Sequence, residues 1–102
     1  MSVNTQVSAD GQKLTISIKG RFDFAKHQAF RDSFGQVDNQ RLNAIVVDLK
    51  EVTYLDSSAL GMLLLLRDHA GGDDSDVRLV NSSSDVRKIL AISNFDKLFD
   101  IS

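Results

Sequence analysis

Polar and apolar residues alternate twice near the start of the chain. Val3, Thr5 and Val7 alternate with polar neighbours, which predicts a weak edge strand. Leu14, Ile16 and Ile18 alternate more cleanly, which predicts a strand with one buried face, ended by Gly20. Between them Asp10-Gly11 is a hairpin turn signal. From Phe24 to Val37 the period changes. Phe30, Phe34 and Val37 recur at i, i+4 and i+7, one face of a helix, and Asp23 stands where an N-cap acceptor would sit. Ile45-Val46-Val47-Asp48-Leu49 is a β-branched run without alternation, which predicts a central strand covered on both faces and parallel to a neighbour.

The stretch YLDSSALGMLLLLRDHAGG, residues 54–72, comes next. It predicts a helix from Ser57 closed by Gly71-Gly72. Leu60, Leu63, Leu64 and the stem of Arg67 would share the docking face, leaving Met62, Leu65 and Leu66 on the other side. An ordinary surface helix carries charges there. Either neighbouring elements cover both sides, or Met62, Leu65 and Leu66 form an exposed patch for a partner. Val77–Val80 predicts a further strand. Asn81-Ser82-Ser83-Ser84 supplies caps for a helix carrying Val86, Ile89 and Leu90, and Phe95, Leu98 and Phe99 follow with a short last strand. The order β-β-α-β-α-β-α-(β) implies crossovers and a largely parallel or mixed sheet, hence an α/β fold.

Composition narrows the function classes. The chain has 102 residues, enough for one domain over 1–102, with 42% hydrophobic and 25% charged residues. The formal net charge is -2, without a basic stripe, which argues against a direct nucleic-acid partner. Cysteine is absent, which excludes disulfides, thiol catalysis and cysteine-ligated metal and suits a cytoplasmic location. The polar N-terminus lacks the apolar core of a signal peptide, and Met62–Leu66 is too short to span a bilayer, so no membrane insertion is expected.

Candidate chemistry centres on Asp56-Ser57-Ser58. A hydroxyl at a helix start can cap the helix, attack a substrate or accept a phosphate. Attack needs a base. His69 lies about three turns along the same helix, and His27 belongs to another helix with no motif around it. No nucleophile elbow and no glycine-rich phosphate loop are present, so neither an enzyme nor a nucleotide cofactor is expected. Phosphate acceptance needs only an accessible hydroxyl, and a helix N-terminus favours the resulting anion. Asp23, Asp48 and Asp56 are read as capping and loop residues in preference to a metal site, since no tight ligand spacing is present. Arg67, Arg87 and Lys88 are read as solvated positions or rim contacts.

IVVDLKEVTYLDSSALGMLLLLRDHA resembles the signature of STAS domains, and more narrowly of bacterial anti-sigma factor antagonists. In that family a strand ending in D-L/K-x-V-x-x-x-D runs into S-[ST]-G-L-G and the second helix. Asp48, Asp56, Ser57, Ser58, Leu60 and Gly61 match, with Ala59 in place of the usual glycine. GRFDF, Gly20 to Phe24, is similar to the family's G-E-[IL]-D, with Arg21 in place of the acid. SSDVRKILAISNFDKLF, Ser83 to Phe99, is similar to S-x-x-V-R-R-L-L-x-x-[ST]-G-L-x-x-L-F, with Asn94 for glycine. Many members carry one more C-terminal helix, so the partner surface is expected to differ there.

The resemblance implies a four- to five-stranded mixed sheet with helices on one side. It implies a partner switch in which the unmodified protein binds an anti-sigma factor or serine kinase. The kinase would phosphorylate Ser57, with Ser58 the second choice, and a metal-dependent serine phosphatase would reverse it. The partner surface expected from these readings combines Asp23, Asp56, Ser58, Ala59, Met62, Leu65 and Leu66 with Ser83 and Arg87 at the start of the next helix. A monomer or weak dimer is expected. The alternative is a constitutive STAS scaffold subunit, for example of an ABC lipid-transport complex, since fold alone does not decide function.

Overall fold

A computed structural model describes residues 2–35, 44–72 and 76–102. The elements in chain order are β1 (Ser2–Val7), β2 (Lys13–Phe22), a single 3₁₀ turn (Phe24–Lys26), α1 (His27–Gly35), β3 (Ala44–Leu55) and α2 (Ser57–His69). β4 (Val77–Val80), α3 (Ser84–Ile92), a second 3₁₀ turn (Phe95–Lys97) and β5 (Asp100–Ile101) complete the chain. Val37, expected in the first helix, lies outside the described residues. The five strands form one sheet in the order β1-β2-β3-β4-β5, with β1 antiparallel to β2 and the other neighbours parallel. This is the mixed α/β sheet that the alternation and crossovers predict.

The hairpin turns at Gly11, in the left-handed region at φ 74°. Asp10 braces it by accepting from the Ser8 hydroxyl and the Gln12 amide. Those bonds, the hydroxyl first, hold the Asp10 carboxyl below its ordinary value. Gly20 does not end β2 as expected. Its φ of 90° carries the strand through a register shift, and pairing with β3 resumes as far as Phe22 and Leu55. A glycine inside a strand serves here as a bulge, which re-aims the strand instead of stopping it.

β3 also differs from expectation. Ile45, Val47 and Leu49 are buried, whereas Val46 and Asp48 are half-buried, so one face is packed and the other faces outward. Val46 lies on the half-buried side, between Thr15 of β2 and Arg78 of β4. The core lies on the packed face. Leu14, Ile16, Ile18, Val47 and Leu49 meet Phe30 and Phe34 of α1, Leu63 and Leu66 of α2, and Val86 and Leu90 of α3. Phe95 and Phe99 close one end with rings 5.4 Å apart, while Leu98 stays exposed. Asn94, at φ 60°, takes the left-handed position that ends α3, which explains how it replaces a glycine.

α2 is rotated from the expected phase. Its buried residues are Ala59, Met62, Leu63 and Leu66, and its exposed apolar residues are Leu64 and Leu65. Met62 and Leu66, expected to face outward, therefore belong to the core, and Leu64 belongs to the surface. A helix that is apolar all round does not reveal its phase by periodicity, so docking decides it. Arg67 reaches across to donate from Nε to the Leu98 carbonyl at 3.1 Å, tying α2 to the C-terminal turn.

Candidate functional site

The site is built where β2 and β3 end side by side. Parallel strands deliver their carboxyl ends to one edge, where loops can carry function. The register pairs Arg21 with Tyr54 and Phe22 with Leu55. Phe22 and Leu55 are buried, so Arg21 and Tyr54 point to the outer side. The Arg21 guanidinium lies 4.5 Å from the centre of the Tyr54 ring, and its Nε is 3.5 Å from Asp23 Oδ2. The Asp56 amide donates to the Phe22 carbonyl at 3.4 Å, which ties the two strand ends together.

Two carboxylates organise the turns. Asp23 caps the first 3₁₀ turn, accepting from the Ala25 amide at 3.1 Å. Asp56 caps α2, accepting from the Ala59 amide at 2.9 Å, with extended backbone at φ -107° and ψ -177°. The cap of α2 is thus the aspartate and not a serine hydroxyl. Ser57 is the first residue of the helix and is exposed; Ser58 is half-buried. Asp48, expected as a capping or loop residue, lies within β3. It accepts from the Lys50 amide and the Asn81 side chain, at 2.9 and 3.2 Å. Among the described residues no group of three His, Asp or Glu side chains could hold a metal ion.

A stripe along α2 leads away from Ser57. Ser57, Gly61, Leu64, Leu65 and Asp68 are all exposed, and at 100° per residue they fall on one side of the helix. A Cβ built on Gly61 would meet nothing within 4 Å, so the helix backbone itself is accessible there. Leu65 also borders a shallow groove with Arg31, Phe34, Asp68 and His69. Of the residues expected on the partner surface, Asp56, Ser58 and Leu65 share this region with Ser57. Asp23 sits beside it through the paired ends of β2 and β3. Ala59, Met62 and Leu66 are buried and cannot meet a partner without repacking. Ser83 is occupied as the cap of α3, accepting from the Val86 amide at 3.2 Å. Ser83 and Arg87 follow a strand whose pairing with β3 stops at Asp48, well before the Leu55 end.

Three neighbours of the site escaped the sequence patterns. Phe24 is 69% exposed and Tyr54 43% exposed, two surface aromatic rings near the carboxyl ends of β2 and β3. The signal for Tyr54 was its position one residue off the buried phase set by Leu55. Lys26 is the only charged side chain buried among the described residues, and its Nζ donates to the Arg21 carbonyl. It supports the Gly20–Phe24 stretch from beneath by satisfying a backbone acceptor. Neither histidine is delivered to Ser57. His69 is at the other end of α2, about 18 Å along the axis, with its ring against Phe34. The His27 ring stacks on Phe24. Among the described residues no helix is long and apolar enough to cross a membrane.

The family profile described as "Mlab, STAS domain" matches residues 5–100. The chain belongs to the STAS domain family. This STAS domain is 61% identical over 102 residues to the STAS-domain containing protein PA14_20770 of Pseudomonas aeruginosa (strain UCBPP-PA14), covering 100% of both chains. Its fold is similar to that of the anti-sigma factor antagonist SpoIIAA in its unphosphorylated form. The TM-score is 0.82 at 18% identity, over 99% of this chain and 88% of that one. SpoIIAA of Bacillus in the phosphorylated form gives a TM-score of 0.74 at 17% identity, over 99% and 91%. At these identities the likeness is one of fold. It shows a fold shared with anti-sigma factor antagonists.

Proposed function

We propose that this STAS domain is a non-enzymatic, cytoplasmic anti-sigma factor antagonist switched by phosphorylation of Ser57. The unmodified form binds an anti-sigma factor or a serine kinase regulator and so controls sigma-dependent transcription. Phosphorylation releases the partner, and a metal-dependent serine phosphatase restores binding.

One observation carries the reading. Asp56 caps α2, so the exposed Ser57 hydroxyl at the first helical residue has no capping role to give up when it is modified. A phosphate there adds about -1.5 to -2 charges beside Asp56 and Asp23. The added charge lands at one end of the Ser57–Gly61–Leu64–Leu65 stripe, where an apolar partner surface would be repelled and left to desolvate a dianion. Solution of the SpoIIAA fold in both unphosphorylated and phosphorylated forms supports the reading.

The test is intact-mass and phosphosite mapping of the protein from its own cells, in growth and in stationary phase. A Ser57 phosphate that varies with condition is expected. Ser57→Ala should retain a partner in pull-downs under every condition, and Ser57→Asp should weaken it. A phosphate on Ser58 would keep the switch and overturn the residue assignment. Absence of phosphate, together with constitutive co-purification with a transporter ATPase, would replace the switch with a scaffold role.

A further inference from the structure

The two edges of the sheet are built differently. β5 is two residues long and starts with Asp100, which is 3.9 Å from Arg78. Shortness and charge are the usual defences of an edge against pairing with another chain. β1 has neither. Its six residues, Ser2–Val7, contain no charge and no proline, and their register with β2 is unbroken by any bulge.

The hydrogen-bond phase says which β1 groups face the open edge. The Ser8 amide donates to the Lys13 carbonyl at 2.9 Å, in the same register as the β1–β2 pairs. Antiparallel ladders alternate, so Gln6 and Asn4 also bond to β2, while the N–H and C=O groups of Val3, Thr5 and Val7 point outward. The same three residues lie opposite the buried Ile18, Ile16 and Leu14, on the core-facing side of the sheet. The packed layer thins out there. Val3 is half-buried against the core, Thr5 is exposed and Val7 is 46% exposed. Outward backbone groups and exposed β-branched side chains therefore coincide at Thr5 and Val7.

We infer that β1 pairs antiparallel with β1 of a second copy, in a two-fold register centred on Thr5. Thr5 then opposes the partner's Thr5, and Val3 opposes the partner's Val7 in both directions. All three pairings exchange outward N–H and C=O groups. Asn4 meets the partner's Gln6 on the opposite side, an amide-to-amide pairing. The strand is self-complementary about this axis, as an isologous interface requires. A slip of one residue would pair Val3 with Gln6 and put apolar and polar side chains on the same side. The product is a continuous sheet across two copies. Thr5 is opposite Ile16, away from the Phe22 end of β2, so this surface is separate from Ser57 and does not depend on the switch.

The test is sedimentation velocity of the full chain from micromolar to millimolar concentration. The wild-type mass is expected to rise toward twice the monomer. Thr5→Lys and Thr5→Glu should each remain monomeric, because each residue meets its own copy. An equimolar mixture of the two should regain the dimer mass. Because the chain has no cysteine, Thr5→Cys should also give a covalent dimer on oxidation, since opposed residues in such a pair have Cα atoms about 5.5 Å apart. A wild-type chain that stays monomeric to millimolar concentration would overturn the pairing and leave the edge for a strand of another protein. Association of Thr5→Lys with itself as strong as wild type would overturn the register, and so would failure of the charge-swapped mixture to associate.

Discussion

Replacing Asp56 and Ser57 in turn separates a capping turn from a switch. Asp56 is half-buried and its carboxylate accepts from the Ala59 amide at 2.9 Å, one of the donors that the start of α2 would otherwise leave unpaired. Asp56→Ala removes that acceptor, and such losses cost about 0.5–2 kcal/mol. Ser57 is exposed and caps nothing, so Ser57→Ala should stay within about ±0.5 kcal/mol. Asp56→Asn keeps an acceptor of equal capping rank and should recover most of the loss. Only the share due to negative charge at a helix N-terminus, about 0.3–1 kcal/mol, should remain missing. The assay is urea unfolding followed by circular dichroism, with unchanged slopes as the sign that only stability has moved. In thermal scans 1 kcal/mol corresponds to roughly 4–8 °C for a domain near this size. If Ser57→Ala cost as much as Asp56→Ala, the hydroxyl would be part of the cap, and the argument that it is free for modification would fail.

The phase of α2 gives a second contrast: Met62→Ala, in the core, should cost about 2–5 kcal/mol, while Leu65→Ala should cost under about 0.5 kcal/mol by the same unfolding assay. Gly61→Ala should stabilise the protein by about 0.5–1 kcal/mol, since its Cβ would meet nothing. On the proposed partner surface the same change should weaken the pull-down seen with Ser57→Ala, so stability and binding should move in opposite directions. The Asp10 carboxyl titrates below its ordinary value of 3.8 in the folded protein. Its contribution is therefore present above that value and lost as pH falls through the lowered one. Asp10→Asn should lower the melting temperature at neutral pH and lessen its further drop on acidification.

The element order was legible because each boundary has a local cause. Asp10-Gly11, Asp23, Asp56, Ser83 and Asn94 all act where chain-local chemistry places them, as turns, caps and a left-handed stop. The misread features are those where neighbours decide. Gly20 looks like a stop, yet it bends a strand that β3 keeps extended. Ile45–Leu49 looks doubly covered because Val46 is apolar, yet Val46 and Asp48 are only half-buried while Ile45, Val47 and Leu49 are buried. Met62, Leu64, Leu65 and Leu66 are interchangeable to a periodicity argument, and packing against the sheet chose among them. At the site, Ser57 and Asp56 were legible through their motif. Their division of labour was not, because three adjacent residues could each have capped the helix. Tyr54 and Lys26 both meet Arg21, the first through the β2–β3 register, and sequence spacing does not record a register between distant strands.

The two departures from the family pattern inside this site act on different levels. Ala59 is fully buried, so its extra methyl joins the core and leaves the outward stripe unchanged. Arg21 acts at the surface. It places a cation over Tyr54, beside Asp23 and next to the strand end that leads to Ser57, where the family pattern has an acid. On the proposed reading, the phosphate at Ser57 meets an environment with two opposing parts. The first-turn amides of α2 and Arg21 favour the anion within the protein, while Asp56 and Asp23 oppose it. Attraction and repulsion inside the fold act in opposite senses, whereas a partner docked over Leu64 and Leu65 brings an apolar surface and a desolvation cost. The modification is then expected to change the interface free energy more than the folding free energy. A switch of this kind keeps the domain folded in both states, which is what reversible release and recapture of a partner requires.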